Sequence, residues 1–342
     1  MKRILVLYKE LAGYFMACLD ELCEMHGVEA DVVAYPVNTD APFQFNHSSR
    51  IRIISRTNVT DAELVQMVSH TNYQLIFIGG WFDSGYLNAV KHKKCNAVLG
   101  FDNAWNGSPK QVLSALYGNV FIRPLFDYAF VPGSKQAIFA KRLGFAENRI
   151  FRGAYSCDVA RFSSVQSTHQ LKKRLIYTGR YSTEKFVLPL FDVFHELAET
   201  NFPDWELHCI GTGPLWEKRL ESPHIIHHGF MQPNELLQLM NTGSAFVLPS
   251  TFEPWGVVVH EFAAAGYPMV LSSAVGASEA FLHPGENGFL FQSTNTAELK
   301  NCLSQLMALA PNELNTMGIE SRVLSKGITP QTWAAQLAGI MH

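Results

Sequence analysis

The chain has 342 residues, 47% of them hydrophobic and 17% charged, with a formal net charge of -3. This length suits two domains of roughly 150 residues, and no stretch approaches the ~18 uninterrupted apolar residues of a membrane span. The small net charge excludes a nucleic-acid footprint, and six scattered cysteines without C-x-x-C spacing exclude a disulfide framework or zinc cage and point to a reducing, cytoplasmic setting.

In chain order, Met1 to Tyr8 carries two basic residues and an apolar run too short for a secretory signal, and it reads as a first buried strand. Strands are predicted over Arg3 to Tyr8, Asp31 to Tyr35, Arg50 to Ile54, Gln74 to Ile78, Ala97 to Phe101 and Tyr128 to Val131. The pattern restarts over Arg174 to Tyr177, Glu206 to Ile210, Ile225 to His228, Ala245 to Leu248, Met269 to Ser272 and Gly288 to Phe291. Helically spaced stretches separate these runs, the sequence form of repeated βα units on parallel sheets. The polar stretch Asp158 to His169 reads as a linker. The division is therefore 1–157, 158–328 and a closing helix over 329–342. Residues 1–153 hold 16 basic and 13 acidic side chains, which leaves 11 and 17 for the remainder. The basic half suits an anionic acceptor or a peripheral, salt-sensitive membrane contact.

Ligands in parallel α/β sheets sit beyond the carboxyl ends of the strands, so the residues after each strand are the candidates. After the fourth strand, Gly79-Gly80-Trp81 offers Trp81 for stacking on a sugar, against a plain core role. After the fifth, Asp102 and Asn103 offer polar partners, against a capping role. In the second half, Gly179-Arg180 and Lys185 follow a strand and place two cations where a diphosphate could be neutralised without a metal ion. Gly211-Thr212-Gly213 lacks the third glycine of a dinucleotide fingerprint, because Trp216 stands in its place, so a Rossmann dehydrogenase is disfavoured. Phe230 and Met231 follow a strand where a flat base could rest. The segment Glu253-Pro254-Trp255-Gly256-Val257 opens a helix, with Pro254 at its first position and the N-H groups of Trp255, Gly256 and Val257 as an anion site. Glu261 stands eight residues beyond Glu253, about two helical turns or ~12 Å away. Gly276 and Glu279 follow the next strand. His260-Glu261 lacks the second histidine of a zinc-protease motif, position 264 being alanine, and no metal site is expected.

The ordered set of Gly179-Arg180 with Glu184-Lys185, Gly211-x-Gly213-Pro214, Gly229-Phe230, Glu253 with Glu261, and Gly276-x-x-Glu279 resembles glycosyltransferase family 4 over about residues 130–295. The resemblance implies the GT-B fold: α/β, with two Rossmann-like parallel-sheet domains facing each other across a cleft, the first for the acceptor and the second for the nucleotide sugar. It implies retaining, metal-independent transfer of a sugar from a nucleoside diphosphate sugar to a hydroxyl of a glycan or lipid-linked acceptor, as in surface polysaccharide assembly, with no cofactor. By the same resemblance Arg180 and Lys185 contact the donor diphosphate, Glu253 holds hydroxyls of the donor sugar, Glu261 holds the ribose, and Gly276 lines the pocket. Two segments depart from the family pattern. Tyr8-Lys9-Glu10-Leu11-Ala12-Gly13 lacks the usual glycine pair, and Asp102-Asn103 stands where relatives carry a histidine. The alternatives are an epimerase of sugar nucleotides on the same fold, with Asp102 as the first-domain acid/base candidate, and an inactive nucleotide-sugar-binding protein.

Overall fold

The computed structural model describes residues 2–36, 47–165 and 173–341. The chain divides into two compact units, Met1–Asp158 with Ile328–His342, and Val159–Gly327.

In unit 1 the elements run β1 (Lys2–Tyr8), α1 (Gly13–His26), β2 (Val28–Ala34), β3 (Ile51–Ser55), α2 (Asp61–His70), β4 (Leu75–Gly79), α3 (Ser84–Val90), β5 (Asn96–Gly100), α4 (Pro109–Phe121), β6 (Tyr128–Val131), α5 (Ser134–Arg142) and β7 (Ile150–Arg152). All seven strands are parallel, in the order β3-β2-β1-β4-β5-β6-β7. The strands read as near-continuous apolar runs because helices cover both faces of the sheet. Along β1, Ile4, Val6 and Tyr8 enter the core beneath α1, while Leu5 and Leu7 enter the opposite one.

Unit 2 runs α6 (Val159–Ser163), β8 (Arg174–Thr178), α7 (Val187–Thr200), β9 (Glu206–Ile210), β10 (Ile225–Gly229), α8 (Pro233–Met240), β11 (Ala245–Leu248), α9 (Val257–Ala264), β12 (Met269–Ser272), α10 (Ser278–Phe281), β13 (Gly288–Phe291), α11 (Thr296–Met307) and α12 (Pro311–Ser325). Its six parallel strands are ordered β10-β9-β8-β11-β12-β13. Each sheet thus reverses its winding once, between β1 and β4 and between β8 and β11, and ligands of such sheets bind beside that switch point.

All twelve predicted strands form, with ends displaced by no more than three residues. The additional strand β7 is three residues long, too short to show a period. The stretch read as a polar linker contains α6, because Phe162 and Val165 are buried and Arg322 donates to the carbonyls of Ser163 (3.0 Å) and Val165 (2.7 Å). Residues 166–169 of that stretch lie outside the described residues. The last helix, α13 (Pro330–Ala338), returns to unit 1 and packs on α1. Its Trp333 is buried among Phe15, Phe77 and Phe130 and donates its indole N-H to the carbonyl of Ala154 at 3.0 Å.

Candidate functional site

In unit 2 the loops after β8, β9, β11 and β12 are tied to one another by their backbones. Beyond β8, the N-H of Gly179 donates to Ile210 (3.0 Å) and that of Tyr181 to Thr212 (2.9 Å). This contact explains the Gly-x-Gly sequence. A Cβ on Gly211 (φ +125°) would lie 2.2 Å from the carbonyl oxygen of Gly179, and one on Gly213 would lie 2.7 Å from that of Tyr181. The glycines let two strand ends meet, and the exposed Arg180 side chain lies against Gly213.

The next turn carries Lys185 to the loop after β11. The carbonyl of Glu184 accepts the N-H of Thr251 at 2.7 Å, which brings Lys185 Nζ into an ion pair with Glu253 Oε2. Their side chains are only 20% and 14% exposed, so the pair is held in place rather than loosely solvated. The ammonium keeps two further donors and the carboxylate a second oxygen.

The helix after β11 begins at Val257, not at Pro254 as expected. Residues 253–255 are drawn out of helical geometry by the loop after β12, for Gly276 N donates to Glu253 O (3.0 Å) and Ala277 N to Trp255 O (2.8 Å). A Cβ at Gly276 would sit 2.1 Å from the Pro254 oxygen, so only glycine fits there. The helix start is set by Gly256 at φ +93°. Of the expected anion site at Trp255, Gly256 and Val257, only Val257 therefore carries a first-turn helical N-H. The helical separation assumed for Glu253 and Glu261 does not apply either, because only Val257–Ala264 is helical.

Glu261 is half-buried on α9, facing α6, and burial pushes its carboxyl up to about 7, with Arg161 pulling in the opposite direction. Its neighbour His260 is buried, stacked on Phe281 at 4.2 Å, and bonded through Nε2 to the carbonyl of Ser325 at 2.9 Å. Burial lowers its pKa to about 4, so the ring is a neutral donor within the core. Phe230 and Met231 are half-buried between β10 and α8, and Glu279 is exposed on the first turn of α10. Three buried polar atoms just after β8 and in the loop after β11, Thr178 Oγ1, Ser250 Oγ and Trp255 Nε1, have no hydrogen-bond partner among the described residues. Buried polar groups are rarely left so, and their grouping beside the switch point fits a polar ligand. Sequence reading passed over Thr178 and Ser250 because small hydroxyl residues after strands are commonplace.

Residues 172–308 match the family described as Glycosyl transferases group 1. These residues are thus similar to a glycosyltransferase group 1 domain. Two curated relatives overlap it. The sulfoquinovosyl transferase SQD2 of Arabidopsis thaliana is 32% identical over 143 residues, which is 40% of this chain and 26% of that protein. The glycogen synthase of Mycobacterium tuberculosis is 33% identical over 123 residues, 33% of this chain and 29% of that one. The chain thus spans little more than a quarter of these relatives' length. The solved structure of Anabaena HepE in complex with UDP and glucose superposes with a TM-score of 0.71 at 17% identity, covering 98% of both chains. That likeness makes the fold GT-B.

Outside the stretch matched by that family, unit 1 holds the candidates of the first half. Trp81 is half-buried against Phe101 (5.4 Å) and Phe139 (6.2 Å), the packing role weighed against sugar stacking. Asp102 and Asn103 cap no helix, since Ser108 caps α4. Asn103 is exposed, whereas Asp102 is half-buried and accepts Gln136 Nε2 on its carbonyl at 3.3 Å. Its carboxylate helps to raise the pKa of the phenols of Tyr8, Tyr14 and Tyr155. Burial is the main cause that holds Tyr14 up to about 12 and lifts the other two well above the usual phenol value. Tyr8 opens the segment that lacks the glycine pair, and Tyr14 directly follows it. Tyr8 ends β1, and a Cβ on Gly79 would lie 2.5 Å from its ring. Among the described residues, the one trio arranged to hold a metal ion is His283, Glu286 and Glu320, none of them a candidate from the sequence.

Proposed function

We propose that the chain is a retaining glycosyltransferase that moves a sugar from a nucleoside diphosphate sugar to a hydroxyl of a glycan or glycolipid acceptor, without a metal ion. The observation that carries this reading is the ordered Lys185–Glu253 pair at the switch point of the group 1 domain, flanked by orphaned buried donors. The sugar C1–phosphate bond breaks as the acceptor oxygen bonds C1 on the same face, and the acceptor's proton passes to the departing diphosphate. Lys185, Arg180 and the N-terminus of α9 hold the charge that grows on that leaving group, and preorganised cations there act without the reorganisation that water requires. Glu253 accepts hydroxyls of the transferred sugar and keeps Lys185 aimed. Glu261 accepts the ribose hydroxyls. Anabaena HepE was solved with UDP and glucose, which supports a uridine nucleotide donor. Incubation with radiolabelled UDP-sugars and lipid-extract acceptors, followed by product analysis, tests the reading. A labelled acceptor is expected, and a freely epimerised nucleotide sugar or no turnover would refute transfer.

A further inference from the structure

Helix α4 carries Leu113, Leu116, Tyr117, Val120 and Phe121, spaced i, i+3, i+4, i+7 and i+8, the spacing that normally marks a core-facing stripe. Here the stripe faces outward, and these five side chains are 59–68% exposed. The helix is seated by its opposite, small-residue side. Ala115 and Gly118 are buried there, and a Cβ on Gly118 would lie 2.4 Å from Leu143 Cδ2. Tyr117 and Phe121 form an aromatic pair 4.7 Å apart on the open face.

Charge around the stripe is mainly basic, and the nearby acid Glu147 is paired with Lys141. From Asn103 to Ala146 the sequence has five basic residues and one acidic residue, Asp127, which is paired with Lys93. Lys110 is exposed in the first turn of α4, and Lys135 and Arg142 are exposed on the adjoining helix α5, which also exposes Ile138. An outward apolar face with aromatic residues, rimmed mainly by cations, matches an interface that is apolar inside and negative at its surface. A protein partner would match the apolar stripe but gives no reason for the excess of basic over acidic groups.

We infer that α4 and the exposed basic residues of α5 form a docking surface for an anionic lipid bilayer, with the stripe inserted at the headgroup boundary. The inference stands whether or not the chain transfers sugars. It is tested by co-sedimentation with vesicles of phosphatidylglycerol and phosphatidylcholine, or phosphatidylcholine alone, at ionic strengths of about 0.05 and 0.5 M, where screening differs several-fold. The wild-type protein is expected to bind the anionic vesicles at least tenfold more at low salt than at high salt. Leu116→Gln with Phe121→Gln should lose at least tenfold in binding with an unchanged melting temperature. Lys110→Glu with Lys135→Glu should lose both affinity and salt sensitivity, and it decides the matter if the apolar double variant does not fold. Wild-type protein left in solution with both vesicles would overturn the proposal. So would full binding by either double variant, or sedimentation equilibrium showing a dimer that Leu116→Gln with Phe121→Gln dissociates.

Discussion

If Glu261 accepts the ribose hydroxyls as proposed, its carboxyl, pushed up to about 7 by burial, would make donor binding a proton-linked event. Ribose hydroxyls donate to a carboxylate and favour its charged form, so the ionised protein is the one that binds. With a free-protein pKa of about 7, roughly a tenth of molecules are ionised at pH 6 and nine tenths at pH 8. Affinity for a UDP-sugar should therefore rise about tenfold across that range and level off above it, by proton linkage. The phosphates of a nucleotide sugar are both esterified and do not titrate there, which makes the intact donor the right ligand rather than UDP. Glu261→Gln should remove the slope and, at pH 8, cost on the order of 2 kcal/mol for the lost charge-assisted bonds. Isothermal titration calorimetry in buffers of different ionisation enthalpy would also register the released proton. A flat profile for the wild-type protein, or an equal slope in Glu261→Gln, would refute the link between this carboxyl and the ribose.

Stability without ligand should move the opposite way. The folded carboxyl titrates near 7 against an ordinary 4.5, so the relative stability it contributes is full below 4.5 and lost as pH rises through 7. Glu261→Gln should thus raise the denaturation midpoint at pH 8 and leave it unchanged at pH 4, with a gain on the order of 1–2 kcal/mol once partial exposure is allowed for. Lys185→Ala should lower kcat, because charge grows on the leaving group, by about 3 kcal/mol in the barrier; a normal kcat with only a raised KM would make Lys185 a binding residue. Activity should survive EDTA, and loss restored by Mg²⁺ would contradict the assigned cation roles. Gly276→Ala, which would set a Cβ 2.1 Å from the Pro254 oxygen, should abolish donor binding while far-UV circular dichroism stays native; unimpaired binding would show that the two loops can separate.

The strands were legible because their apolar runs are fixed by burial on both sheet faces, a demand that acts residue by residue. The start of α9 was not, because Gly276 and Ala277, twenty residues away, take up the backbone that Pro254 suggested would be helical. Lys185 and Glu253 could each be named, but their pairing depends on the Glu184 carbonyl reaching Thr251. The glycines of Gly211-x-Gly213 read as loop formers, and their close approach to the β8 turn needed coordinates. On α4 the i, i+3, i+4 spacing cannot by itself say which side faces the core when Ala115 and Gly118 supply the contact.

The return of α13 to unit 1 has a consequence for biosynthesis. Trp333 fills the space between Phe15, Phe77 and Phe130, yet it is translated more than 170 residues after the last strand of its own sheet. While the ribosome is making unit 2, unit 1 must wait with that aromatic nest uncovered, a condition that invites chaperone binding. A nascent chain stalled before Ile328 should hold α1 and β1 in a protease-sensitive state, and release of the final helix should close it.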